Sequence, residues 1–143
     1  MRHGFRMSVG ADPDGTKKVN TAFAEFAQTH ALPDGVRRSL NVALDELLAN
    51  ELSHGTAGLG SGSLVVELVL DQERITVTIT DDGPQFDPLS QAAPDTTLSV
   101  EDRPIGGLGI HLVRELMDEV RYERRDDHNV VILVKRLQDV QGV

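Results

Sequence analysis

Cysteine is absent from the 143 residues. Disulfide frameworks, thiolate zinc sites and thiol nucleophiles are excluded with it. Tryptophan is absent as well, and there are only one tyrosine and four phenylalanines, so Leu, Val, Ile and Ala must fill any interior. No apolar run approaches the length of a membrane span. The first residues, Met1 to Met7, carry charge but no apolar stretch; a secretory signal and a membrane role are not expected, and the cytoplasm is the expected location. Positive charge is scarce: 14 Lys and Arg stand against 23 Asp and Glu, a net charge of −9. That balance argues against a nucleic-acid binder, which has phosphates to neutralise, and favours a basic protein partner. The five histidines show no metal-binding spacing such as H-E-x-x-H. No G-x-x-x-x-G-K-[ST] run and no G-x-S-x-G elbow occur, which excludes a P-loop and disfavours nucleophilic hydrolysis.

What is present suits one compact domain over residues 1–143, with 39% apolar residues to build a core. Phe5 to Val9 reads as a short first strand, and Asp12-Pro13-Asp14-Gly15 as punctuation. Val19, Ala22, Phe23, Phe26 and Ala27 share one face of a helix expected from about Lys17 to His30. A longer helix is expected from Pro33 or Asp34 to Ser53, with Asp34 able to cap its start and a stripe of Leu40, Ala43, Leu44, Leu47 and Leu48. Gly55 to Ser63 is a small-residue loop. The runs Leu64 to Leu70 and Arg74 to Thr80 form a hairpin, the second with Ile75, Val77 and Ile79 alternating with threonines. Gln85 to Pro104 is a polar connection long enough to be functional. Gly106-Gly107-Leu108-Gly109 opens a helix from about Ile110 to Met117, and Glu119 to Arg125 with Asn129 to Leu137 forms a last hairpin. Helices first and sheet second, with one late helix, predict a two-layer α/β sandwich.

Three constellations carry candidate chemistry. Glu46 and Asn50 lie four apart on the long helix, with His54 one further turn on. They border the apolar stripe, where polar groups need partners. A carboxylate can orient or deprotonate a nucleophile, and an Asn oxygen can ligate Mg²⁺, a hard cation that shares its shell with phosphates. Asp81-Asp82-Gly83 ends a strand: Asp can accept from an exocyclic amine, and Gly lets a ring approach the backbone. Gly107-Leu108-Gly109 precedes a helix, where unobstructed backbone N–H groups can hold an anion. Taken alone, the first reads more readily as a half-exposed helix face and the second as a plain turn, and the third is also compatible with a tight loop.

Their order is more specific than any one of them. An E-x-x-x-N helix, a hairpin ending in D-x-G, a variable segment, then G-x-G opening a helix resembles the GHKL (Bergerat-fold) ATPase superfamily. Within it the chain looks most like the anti-sigma-factor serine kinases, the RsbW-like proteins. The stretches Ala43 to Gly55, Asp81 to Pro88 and Arg103 to Val113 carry the match, which extends from about Asn20 to Lys135. The resemblance implies an α+β sandwich whose mixed, mostly antiparallel sheet is covered on one face by helices. It implies ATP and Mg²⁺ as cofactors. Glu46 would be the general base or orienting carboxylate, Asn50 the Mg²⁺ ligand, Asp81 the acceptor for the adenine amine, and Gly83 the point of close approach. Gly107, Leu108, Gly109 and Ile110 would meet phosphates, with His54 nearby. Residues from about Asp87 to Gly106 would form an ATP lid containing Arg103, which could stabilise the transferring phosphate. The last strand begins Asn129-Val130-Val131 where related domains often place a threonine near the adenine.

The function implied is a serine/threonine protein kinase that phosphorylates a STAS-domain anti-anti-sigma protein and also sequesters a sigma factor or an analogous target, as a homodimer. Two other readings compete: a nucleotide-sensing anti-sigma module without turnover, and a stand-alone histidine-kinase-type catalytic domain. The short lid and the lack of a preceding phosphoacceptor-histidine helix pair weigh against the latter.

Overall fold

A computed structural model describes residues 2–53, 62–90 and 107–138. Five strands and three α-helices follow one another as β1 (His3–Gly10), α1 (Pro13–Thr29), α2 (Asp34–Ser53), β2 (Ser63–Leu70), β3 (Arg74–Asp81), a 3₁₀ turn (Pro88–Ser90), α3 (Gly107–Leu116), β4 (Glu119–Arg125) and β5 (His128–Arg136). The strands form one sheet in the order β1-β2-β3-β5-β4. Every pairing in it is antiparallel.

The register puts alternate residues of each strand under the helices. Leu64, Val66, Leu68 and Leu70 of β2, Ile75, Val77 and Ile79 of β3, and Val131 and Leu133 of β5 belong to the main core. They meet Val19, Phe23, Phe26 and Ala27 of α1, the α2 stripe from Val36 to Leu48, and Ile110 and Val113 of α3. Full burial of one such side chain is worth about 1.5–3 kcal/mol, so this layer of aliphatics outweighs any single polar contact in the molecule. Val130, Ile132 and Val134 of β5 form a separate buried cluster. Their parity assigns them to the helix-free face, where they sit across from Thr80, Thr78 and Thr76. No helix among the described residues is long and apolar enough to cross a membrane.

The start of α1 departs from the expected one. Asp12-Pro13-Asp14-Gly15 is no turn between elements but the helix N-terminus itself. Asp12 is the N-cap, its Oδ1 accepting from Gly15 N at 2.7 Å, with Pro13 at the first helical position. Proline suits that place because its φ is already helical and the N–H it lacks would be unpaired there. The helix ends in a Schellman arrangement: Leu32 N donates to Ala27 O at 3.0 Å and Ala31 N to Gln28 O at 3.3 Å, with Ala31 at φ 51°. Asp34 lies in the first turn of α2 rather than before it, and Pro33 O accepts from Arg37 N at 2.9 Å. The acidic side chain there favours the helix dipole instead of capping it. At the other end, α3 begins three residues earlier than the apolar periodicity suggests, within the glycine motif at Gly107.

Both tight hairpins carry Asp at the turn, by different means. In the β2–β3 turn, Asp71 Oδ1 accepts from Glu73 N at 2.8 Å and Arg74 N at 2.9 Å. These two donors, Glu73 first, hold the Asp71 carboxyl below its ordinary value. In the β4–β5 turn, Arg125 pairs with His128 across Asp126 and Asp127, which adopt φ 51° and 63°. Two consecutive left-handed residues match the twist of a two-residue hairpin.

Candidate functional site

The candidate site residues fall into two groups, one at the C-terminal end of β3 and one where α2 meets α3. One rung of the sheet runs Leu64–Asp81–Asn129–Arg124, because Asp81 pairs with Leu64 and Asn129, and Asn129 with Arg124. Asp81 has the parity of Ile79 and Asn129 that of Val131, so both face the helices. Among the described residues the buried polar side chains are Asn50, Asp81 and Asn129. Asp81 and Asn129 share this rung, while Asn50 lies on α2. A slip of one residue in the β3–β5 register would carry Asn129 to the opposite face and dissolve the arrangement.

Asp81 anchors the loop that follows it. Its Oδ1 accepts from Gly83 N at 2.8 Å and from Asn129 Nδ2 at 3.0 Å. Gly83 is buried, and its carbonyl accepts from Arg124 Nη1 at 2.8 Å. The D-x-G loop is thus tied to β4 and β5 as well as to its own strand. Asn129 Nδ2 also donates to Pro84 O at 2.8 Å, while Asn129 Oδ1 accepts from Phe86 N at 3.1 Å and from the Tyr122 hydroxyl at 2.6 Å. Burial is the leading cause that pushes the Tyr122 hydroxyl above its ordinary value. Beyond the loop, Asp87 Oδ1 caps the 3₁₀ turn by accepting from Leu89 N at 2.8 Å, and Arg114 of α3 donates to Leu89 O at 2.7 Å.

The other half of the site is set by α2 against α3. Glu46 is half-buried and Asn50 is 8% exposed. Asn50 is thus a buried residue, which removes the ordinary-surface reading of that position. Glu46 reaches α3: a Cβ placed on Gly109 would overlap Glu46 Oε2 and press on its carboxyl carbon. Glycine at that position is what lets the carboxylate lie against the helix start. Gly107 opens α3, Leu108 follows it, and Ile110 is buried in the main core. Ile110 therefore positions the helix by packing. Arg103 and His54 lie outside the described residues. The helix-free face carries a depression of about 460 Å³ lined in part by Arg6, Glu67, Thr78, Thr80 and Asp82. Asp81 also lines it.

Three residues of this site carry no motif of their own: Asn129 as a hub, Tyr122 and Arg124. In the sequence Asn129 is marked only by the expectation, from the resemblance, of a threonine near the start of this strand. Tyr122 and Arg124 give no signal, because their partners lie 7 and 41 residues away.

An antiparallel sheet under three helices, with a buried Asn on the central helix, an Asp at a strand end and a glycine-opened helix facing a carboxylate, defines a nucleotide-binding α/β sandwich of the GHKL kind. The histidine kinase-like ATPase domain model matches residues 9–135. The chain belongs to that family, and within it to the RsbW-like serine kinases. It is similar to the serine-protein kinase RsbW of Listeria monocytogenes, 29% identical over 99% of this chain and 92% of the relative. It is 30% identical to the serine/threonine-protein kinase BtrW of Bordetella bronchiseptica over 68% of this chain and 69% of that one. An anti-sigma F factor of Clostridium novyi is 24% identical over 71% of this chain and 72% of its own length. Among solved structures, the RsbU and RsbW domains of a Mycobacterium tuberculosis protein share the fold at TM-score 0.68 and 15% identity, covering 99% of this chain and 34% of that one. The SiaB-SiaC complex from Pseudomonas aeruginosa does so at TM-score 0.60 and 13% identity, over 92% and 89%.

Proposed function

We propose that this protein is an ATP-dependent serine/threonine kinase whose substrate is a small STAS-domain anti-anti-sigma protein, and that it also holds a sigma factor or an analogous regulator. The observation that supports the reading is the Glu46 carboxylate lying against Gly109 at the start of α3, beside the burial of Asn50 and Asp81, in a chain whose relatives are named serine kinases and anti-sigma factor.

The residues fit ATP at both ends. At the base end, Asp81 keeps Oδ2 without a hydrogen bond among the described residues while Oδ1 is fully engaged, and a buried carboxylate oxygen is suited to an exocyclic amine. Gly83 leaves room for the ring beside the backbone. At the phosphate end, the N-terminus of α3 presents backbone N–H groups from Gly107, Leu108 and Gly109. Asn50 supplies a hard oxygen donor for Mg²⁺. No cluster of three His, Asp or Glu that could hold a metal exists among the described residues, so the ion would be shared chiefly with phosphate oxygens, as Mg²⁺ prefers. When bound, Mg²⁺ would neutralise charge on the phosphates.

Glu46 then faces the place where an acceptor hydroxyl must arrive. Its carboxylate would orient that hydroxyl and take its proton as the oxygen bonds to the γ-phosphorus, the bond from that phosphorus to the β,γ-bridging oxygen breaks, and ADP leaves. Positioning and electrostatics supply most of the catalysis in phosphoryl transfer. Arg103, from the proposed lid, would meet charge on the transferring group, and His54 would border the nucleotide. A phosphoserine adds roughly −1.5 to −2 charges to the STAS protein. This chain already carries −9, so repulsion would eject the modified antagonist and free the surface for a basic target. A homodimer and a cytoplasmic location are the expected setting.

The test is transfer of labelled γ-phosphate from ATP to a STAS-domain partner in the presence of Mg²⁺. Acid-stable phosphoserine or phosphothreonine on the partner supports the kinase. Calorimetric binding of ATP with no transfer to a verified partner supports a nucleotide-sensing module instead, and acid-labile phosphate supports histidine chemistry.

A further inference from the structure

Asn129 is 2% exposed, and none of the roles above uses it. A side-chain amide offers two N–H donors and two acceptor positions. All four are spent inside the protein: the donors on Asp81 Oδ1 at 3.0 Å and Pro84 O at 2.8 Å, the acceptors on Phe86 N at 3.1 Å and the Tyr122 hydroxyl at 2.6 Å. The orientation of the amide is fixed as a result, because exchanging its oxygen and nitrogen would set acceptor against acceptor and donor against donor. Asn129 has no capacity left for a ligand. It is not itself a contact to the base.

Its effect falls on Asp81. With Asn129 Nδ2 and Gly83 N both on Oδ1, the carboxylate cannot rotate without breaking a bond at each. Oδ2 is the acceptor that remains. We propose that Asn129 is the positioning residue for base selection: it saturates Oδ1 of Asp81 and so presents Oδ2, in one orientation, to the 6-amino group of adenine. Tyr122 locks the amide from behind, and Arg124 holds the Gly83 carbonyl so that the loop keeps pace with the carboxylate. Guanine offers a carbonyl at the 6-position, an acceptor against an acceptor, and a fixed carboxylate rejects it where a swinging one could adapt. This inference rests on the nucleotide reading of the site and adds to it a residue on a different strand, with a role transmitted through Asp81.

The experiment compares dissociation constants for ATP and for purine riboside triphosphate, which lacks only the 6-amino group. GTP serves as a third ligand. Wild type should prefer ATP by about tenfold or more, the size of one hydrogen bond to a charged group. Asn129→Ala should bring that ratio to about two or three and relax the rejection of GTP, with kcat at saturating ATP changed far less than KM. A role confined to stability would weaken both nucleotides in parallel and leave the ratio intact, and that result overturns the proposal. Tyr122→Phe removes a single oxygen and should lower the ratio by about half or more. If Asn129→Ala does not fold, Tyr122→Phe becomes the deciding variant, and an unchanged ratio there overturns the proposal equally. Wild type that binds no ATP overturns the nucleotide reading and this proposal together, whereas binding with an unaltered ratio in the variants overturns this proposal alone.

Discussion

The two ends of the candidate site are built on different principles. The end proposed for the base is wired: Asp81, Gly83, Pro84, Phe86, Tyr122, Arg124 and Asn129 are joined by six hydrogen bonds of 2.6 to 3.1 Å that cross from β3 to β5 and β4. The end proposed for the phosphates is held by packing. Leu44, Leu47 and Leu48 of α2 and Ile110 and Val113 of α3 are buried together in the core, and Glu46 projects from that packed pair against Gly109. A hydrogen-bonded network fixes one geometry and selects a ligand by it. A carboxylate lying on a glycine can shift by a rotamer at small cost, which would suit the role proposed for Glu46. On the proposed reading, selection would fall to the first group and chemistry to the second.

The largest effect that would sharpen this contrast is its reciprocity. Glu46→Ala should lower phosphotransfer by about 10²–10⁴-fold, the worth of a positioned general base, with ATP affinity changed only a few-fold. Asp81→Asn should do the reverse, weakening ATP binding by roughly tenfold or more through loss of a charged acceptor, with kcat recovering at saturating nucleotide. Calorimetry beside a single-turnover assay separates the two. A matching loss of both quantities in both variants would erase the division.

Gly109→Ala comes next. The overlapping atom is the tip of a flexible side chain, so the fold should tolerate the new methyl within about 0.5 kcal/mol. Transfer should fall by about tenfold or more, because misplacing a catalytic group by about 1 Å is costly. Glu46→Ala with Gly109→Ala should be no worse than Glu46→Ala alone, since the group that the methyl displaces is gone. Additive losses in that double variant would show that Gly109 acts on phosphate, independently of Glu46.

The same contrast decides what the sequence makes legible. The α2 stripe and the β2, β3 and β5 alternations are local periodicities, and each element lies within a few residues of where its pattern places it. Glu46, Asn50, Asp81 and the α3 glycines are legible because their spacing along the chain is itself the signal. The start of α1 is not, since Asp-Pro-Asp-Gly serves a turn and an N-cap equally well and only the packing of Val19 and Phe23 decides. The wiring of the base end is illegible for a different reason. Asn129 reaches Asp81 across 48 residues and Phe86 across 43, and no local pattern encodes a contact that exists only after β5 pairs with β3. The Glu46–Gly109 contact likewise needs α2 and α3 to pack first.

The smallest effect is confined to the base end. Tyr122 is the only tyrosine, and tryptophan is absent, so tyrosinate absorbance reports this hydroxyl without interference. Burial, the leading cause, raises its titration above the ordinary value. The folded state therefore binds this proton more tightly than the unfolded chain. The stability that comes with it is fully present below the unfolded value near 10 and is lost as pH rises through the higher folded value. Deprotonation also turns the donor to Asn129 Oδ1 into an acceptor, so the lock on the amide fails in the same window. Wild type should show an absorbance midpoint above that of the unfolded chain in urea, with preference for ATP over purine riboside triphosphate falling across the same midpoint. Tyr122→Phe should show no such fall, because its ratio is already reduced at neutral pH. If the preference of wild type is insensitive to the ionisation of Tyr122, the hydroxyl contributes burial alone, and the wiring of the base end stops at Asn129.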